Sequence, residues 1–244
     1  MSNTKDIRNI VVRLIEALEQ DDESARLEAE AIADEALPLL LDILRDPNPS
    51  VRGGAASALG TVGNPAAVGP LAALLDDPDP WVRGVVADAL GRLADASATP
   101  ALARALSDDE ADVRMMAARA LGEIADPRAV PYLARHIDDP DVRVRRTAAT
   151  AIGETRSAEG VQPLIKALGD PEPEVRREAA NGLGLIGHVS AVAALANALR
   201  DPDERVYEYA VGALFDIGEP AMRVLSEEVG TPEALAVVEA WNHG

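Results

Sequence analysis

The chain has 244 residues and a formal net charge of −19, from 42 Asp and Glu against 23 Lys and Arg, and it contains no cysteine. Without cysteine there are no disulfides, no thiolate catalysis and no Cys-ligated zinc, and so negative a field repels nucleic-acid phosphates and anionic membranes. No apolar run approaches the roughly 18 residues that span a bilayer, and Met1 to Asp6 lacks the start of a signal peptide, so a cytoplasmic protein is expected.

In chain order, Ile7, Ile10, Val11, Leu14, Ile15 and Leu18 mark one face of a first helix. Ser24 to Arg45 reads as a shortened helical unit. From there a fixed period takes over: Asp46, Asp77, Asp108, Asp139, Asp170 and Asp201 stand 31 residues apart. Val51-Arg52 recurs as Val82-Arg83, Val113-Arg114, Val144-Arg145 and Val175-Arg176. Leu59-Gly60 recurs as Leu90-Gly91, Leu121-Gly122, Ile152-Gly153 and Leu183-Gly184. Such a period is the signature of a solenoid, whose units bury their apolar faces only against their neighbours.

Numbering each unit from its aspartate as position 1, two antiparallel helices fit each period. Val51, Ala55, Ala58, Leu59 and Val62 share one helical face. Pro49, Pro80 and Pro173 occupy the first helical position, after Asn48, Asp79 and Glu172; Asn and Asp are good caps there. Asn64-Pro65 and Asp126-Pro127 start the second helix in the same way. The recurrent glycines at position 15 cost about 1 kcal/mol each against alanine in a helix, so five in register imply the close approach of a neighbouring helix. The last unit has Phe215 at that position and Tyr207 in place of the arginine, and with Trp241 these large groups suit an end that must cover its own core. The expectation is one all-α domain over 1–244: a capping helix and shortened repeat at 1–45, five regular repeats at 46–200, and a capping repeat at 201–244.

Asp77-Pro78-Asp79-Pro80-Trp81-Val82-Arg83, followed by Ala89-Leu90-Gly91, resembles HEAT repeats. With Asp126-Pro127-Arg128-Ala129-Val130-Pro131-Tyr132-Leu133, it is similar to the HEAT-like variety named after phycobilisome lyases. The resemblance covers roughly 21 to 225. It implies a right-handed α-α superhelix, and an inter-repeat ladder in which the Val-Arg arginines pair with acidic residues of adjacent units. It also implies that the capped, longer helix of each unit lines the concave side. Its functional reach is wide, taking in chromophore lyases, a metal hydroxylase, signalling adaptors and scaffolds.

Catalytic chemistry is poorly represented. His136, His188 and His243 have no glutamate beside them and share no spacing, His188 sitting at a helix cap. No serine has a histidine partner, and the glycines belong to the repeat rather than to a phosphate loop. Neither a metal nor a cofactor is expected. The informative positions are those where the repeats differ, positions 5, 8, 9 and 12. There Trp81, Val85, Met115 and Met116 form an apolar patch, unless a methionine turns inward as core. Arg119, Arg143, Arg146 and Arg177 form a cationic centre, unless they pair locally with Asp112, Glu174 and Glu178. Trp, Met and Arg are enriched at interfaces. The expected function is a non-catalytic scaffold that binds an acidic amphipathic peptide or helix of a partner protein along its concave face. The alternatives are a subunit of a phycobilin-type chromophore lyase, or a signalling or motility adaptor. Lys5 and Lys166 are the two lysines among the 23 cations, a bias that fits a GC-rich genome, whereas the net charge fits a salt-adapted, halophilic cytoplasm.

Overall fold

The computed structural model describes residues 36–243, and every regular element among them is helical. The stripe from Ile7 to Leu18 and the start of the shortened unit lie outside the described residues. The rest falls into two compact units, one ending at Ala120 and one beginning at Leu121.

In the first unit, helical residues 36–43 bury Ala36 and Leu40. There follow α1 (Pro49–Val62), α2 (Val68–Ala73), α3 (Pro80–Leu93), α4 (Thr99–Ala105) and the start of α5 (Ala111–Ile124). The long helices begin where the prolines predict. The Asn48 side chain accepts from the Ser50 N–H at 3.0 Å, and that of Asp79 from the Trp81 N–H at 2.9 Å. The second helix of the unit is less regular than its apolar spacing implies. Asn64 and Pro65 start a 3-10 turn (Pro65–Ala67), α2 follows, and a second 3-10 turn (Leu74–Asp76) closes it. Helices α1 and α3 pack side by side.

The second unit contains α6 (Val130–Leu133), α7 (Val142–Glu154), α8 (Val161–Ala167), α9 (Pro173–Ile186), α10 (Val192–Ala198), α11 (Glu204–Ile217), α12 (Glu219–Val224) and α13 (Pro232–His243). Here α7 packs on α9 and α9 on α11. Asp141 and Asp203 cap α7 and α11 through the N–H groups of Arg143 and Arg205. Glu172 makes no side-chain cap bond to α9, as expected of a side chain one carbon longer than the residues that cap well. At the C-terminal end Phe215 meets Trp241 edge-on, with centroids 5.4 Å apart and planes at 70°, while α13 buries Ala234 and Val237. Phe215 and Trp241 thus meet each other, with Trp241 left 38% exposed. Tyr207 is 42% exposed.

The glycines at position 15 meet the expected neighbour. A Cβ on Gly60 would lie 2.8 Å from the Ala89 Cα, and one on Gly122 or Gly184 would lie 2.9 Å from the Ala151 or Ala213 Cα. At Gly153 the facing residue is itself a glycine, Gly182, whose Cα would lie at 2.5 Å. Position 15 of one repeat therefore lies on position 13 of the next, backbone against backbone. A second recurrent demand sits at position 18, where the chain leaves the long helix in the left-handed region. Gly63 and Gly187 supply it freely, whereas Ala94, Ala125 and Arg156 adopt φ of 50–54° without a glycine's freedom.

The arginine ladder is built of repeated, three-way contacts. Arg52 forms two bonds of 2.7 Å to the Asp77 carboxylate and donates to the Asp46 carbonyl at 2.8 Å. Arg83 treats Asp108 and the Asp77 carbonyl in the same way, as Arg145 does Asp170 and the Asp139 carbonyl, and Arg176 does Asp201 and the Asp170 carbonyl. Each aspartate also accepts from the N–H two residues on, such as Asp79 to Asp77 at 2.9 Å. One carboxylate therefore closes its own turn and receives the previous repeat's guanidinium.

These contacts predict an acid response. Asp77, Asp108 and Asp201 are held below the usual carboxylate range. At Asp77 and Asp108 burial is the largest influence and pushes upward. The guanidinium bonds from Arg52 and Arg83, with the backbone bonds, outweigh it. At Asp201 the Arg176 bond leads. A depressed folded-state value means that the unfolded chain, with its aspartates near about 3.9, takes up protons first as pH falls. The stabilisation is therefore complete above about pH 4 and is lost as pH drops through the folded values. Asp108→Asn keeps an acceptor for the Glu110 N–H and removes the charge. It is expected to lower stability at neutral pH, and urea melts should show its deficit shrinking at about pH 3. A deficit independent of pH would remove the charge from the explanation.

Candidate partner-binding surface

The departures from the repeat were the sequence's candidates. In the first unit Trp81 stands in the first turn of α3 and is 53% exposed. Its six-membered ring packs against Gly53 of α1, where any Cβ would collide with the ring. The glycine at position 8 of one repeat is the slot for the tryptophan at position 5 of the next, 28 residues on. Trp81 thus packs against its neighbour and still leaves more than half of its surface open. Val85, one turn along α3, is half-buried, and so are Met115 and Met116 on α5. Met116 reaches toward Gly84, its Cγ 4.0 Å from where a Cβ would stand there. Neither methionine is fully withdrawn into the core. Arg119 pairs with Asp88, which also holds Arg92.

In the second unit the same 28-residue offset recurs with charges. Arg146 of α7 faces Glu174 of α9 at 3.4 Å, and Thr150 faces Glu178 at 3.4 Å. Arg143 folds back onto its own cap, Asp141, at 2.8 Å. Arg177 bonds Glu178 at 2.8 Å and lies over the Tyr209 ring, 5.7 Å from its centroid. Local pairing, the alternative left open by the sequence, is what Arg146 and Arg177 adopt with Glu174 and Glu178. Each of the four arginines meets a carboxylate, the one at Arg119 being shared with Arg92, so they form no uncompensated cationic centre. The Arg146 contact is the longest of these pairs.

The histidines take structural roles. The His188 ring accepts from the Ser190 N–H at 3.2 Å as a cap. His136 approaches Asp139 at 3.4 Å, and His243 sits 2.7 Å from the Glu239 carbonyl. Among the described residues no group of three or more His, Asp and Glu is placed to hold a metal ion, and no helix is long and apolar enough to cross a membrane.

The model for HEAT repeats matches in five overlapping stretches, 11–81, 37–115, 68–153, 134–214 and 161–241. The chain belongs to the HEAT-repeat family. Two solved structures, an engineered protein and a bacterial one, agree on the fold. An engineered protein is 26% identical, with a TM-score of 0.58, over 74% of this chain and 96% of its own. The Escherichia coli protein YibA is 19% identical, with a TM-score of 0.59, over 100% of this chain and 98% of its own. The complex of CpcE and CpcF of phycocyanin lyase from Nostoc is 25% identical over 94% of this chain and 92% of its own, with a TM-score of 0.48. No curated protein matches the sequence. As a HEAT-repeat protein the chain has an all-α solenoid fold, typical of protein-interaction scaffolds.

Proposed function

We propose that this HEAT-repeat protein is a non-catalytic scaffold that binds a peptide or helix of a partner protein on the variable positions of its long helices. Trp81 carries the reading. A large aromatic group that packs against its neighbour and stays more than half exposed has part of its rotamer freedom already restricted, so seating a partner's apolar residue on it costs less ordering. Val85, Met115 and Met116 extend that apolar floor within the first unit. In the second unit Arg143 and Arg146, held by carboxylates at solvent-reached positions, can exchange those partners for the carboxylates of an acidic segment, while Arg177, largely covered beside Glu178 and Tyr209, borders them. Exposed ion pairs are worth only about 0–1 kcal/mol, so the exchange is nearly free. A salt-adapted cytoplasm suits the net charge of −19, because added salt screens the repulsion that an acidic partner would meet.

The test is calorimetric titration with a panel of synthetic acidic amphipathic helices. Trp81→Ala is expected to weaken the best binder by roughly 2 kcal/mol or more, while costing about 1 kcal/mol of stability. Arg146→Glu should weaken it as well, with little change in melting. Unfolding of Trp81→Ala would make Trp81 part of the core, and normal binding by both variants would move the site elsewhere. An absorbance shift on adding a bilin would overturn the non-catalytic reading in favour of a chromophore lyase.

A further inference from the structure

A second surface, independent of Trp81, lies between α9 and α11. Six residues line a hollow of about 290 Å³: Asn181, Glu208, Tyr209, Gly212, Ala213 and Asp216. Its floor exists because Gly212 breaks the series at position 12. Ser57, Asp88, Arg119, Thr150 and Asn181 stand at the equivalent positions, and a Cβ on Gly212 would meet nothing within 4 Å. One wall is Tyr209, 40% exposed, with the Arg177 guanidinium over its ring. The charges are arranged unlike those of the neighbouring repeat. Glu174 and Glu178 are each engaged by an arginine, whereas Glu208 and Asp216 have no ion-pair partner among the described residues.

The volume falls at the lower edge of pockets that hold small organic ligands, about 300 Å³ and upward, and so suits one side chain. Its chemistry asks for a planar cation with several donors. Two carboxylates, an amide and a phenol are among the lining groups, and each can accept a hydrogen bond. A guanidinium has five donors in a fixed plane and can serve more than one of them, whereas an ammonium acts as a compact point charge. We propose that the hollow receives an arginine side chain of a partner protein.

The probes are blocked tripeptides with a central arginine, lysine or citrulline, titrated into the whole protein and followed by the backbone amide signals of Tyr209 and Gly212. Saturable shifts are expected with the arginine peptide. The citrulline peptide, equal in shape and uncharged, should bind about tenfold more weakly or not at all. Glu208→Gln and Asp216→Asn, both at exposed positions, should each weaken arginine binding about threefold or more. Glu159→Gln, the same charge change elsewhere in this unit, should leave it unaltered. Equal binding of citrulline and arginine would overturn the proposal, as would indifference to both hollow variants. Stronger binding of lysine would replace guanidinium recognition by simple charge attraction. None of these outcomes bears on the Trp81 surface, which is read by the acidic helices.

Discussion

Gly153→Ala is expected to lower the stability of the fold, although alanine is the better helix former. At an open helical site the exchange gains about 1 kcal/mol. At Gly153 the new methyl would stand 2.5 Å from the Gly182 Cα, and a backbone cannot rotate away as a side chain can. Helices α7 and α9 must separate along their contact, which loosens apolar groups beyond the one added. Overpacking typically costs about 1–3 kcal/mol, and a backbone-to-backbone clash belongs at the upper end, so after the propensity gain the net expectation is a loss of up to about 2 kcal/mol, or up to roughly 4–8 °C in melting temperature at this chain length. Gly54→Ala is the matched control. A Cβ there meets nothing within 4 Å, so it should gain up to about 1 kcal/mol. Thermal melts of the two variants check both signs, and destabilisation of similar size in both would assign the effect to something other than helix contact.

Leu121→Ala is expected to cost roughly 2–5 kcal/mol. Position 14 carries Leu59, Leu90, Leu121, Ile152 and Leu183, all fully buried. Its neighbours in the long helices are mostly alanines and glycines, which have few atoms to move into a vacated space. The cost should therefore sit near the upper part of the range, because it grows with the cavity left behind. The denaturation midpoint should fall without loss of helical signal in water. A change below about 1 kcal/mol would mean that the site collapses and fills.

Much of this was legible because a period fixes what is repeated. Asp46 to Asp201, the Val-Arg pairs and the position-15 glycines each have one structural job performed several times, so spacing alone exposes it. Residues that act once across two repeats were harder to read. Trp81 stands out as a departure from the repeat, yet its contact with Gly53 depends on an offset of 28 residues rather than 31, set by how adjacent helices lie against each other. Arg146–Glu174 follows the same offset, so the expected cationic centre is in fact partnered. Glu208, Tyr209 and Gly212 share a hollow with Asn181 only because α11 packs against α9. The left-handed Ala94, Ala125 and Arg156 carried no sequence mark, because only glycine announces that conformation.

The double use of the position-1 aspartates has a consequence for how the molecule comes apart. Asp108 closes its own turn through the Glu110 N–H and holds Arg83, which is also bound to the Asp77 carbonyl. When one repeat opens, its neighbour loses an anchor for its arginine, and that arginine in turn releases a carbonyl of the neighbour's own turn. Each opening therefore makes the next less costly. Nearest-neighbour coupling of this kind sets how far a local breach spreads, and it lets a chain with only local contacts melt in cooperative blocks rather than fray one helix at a time.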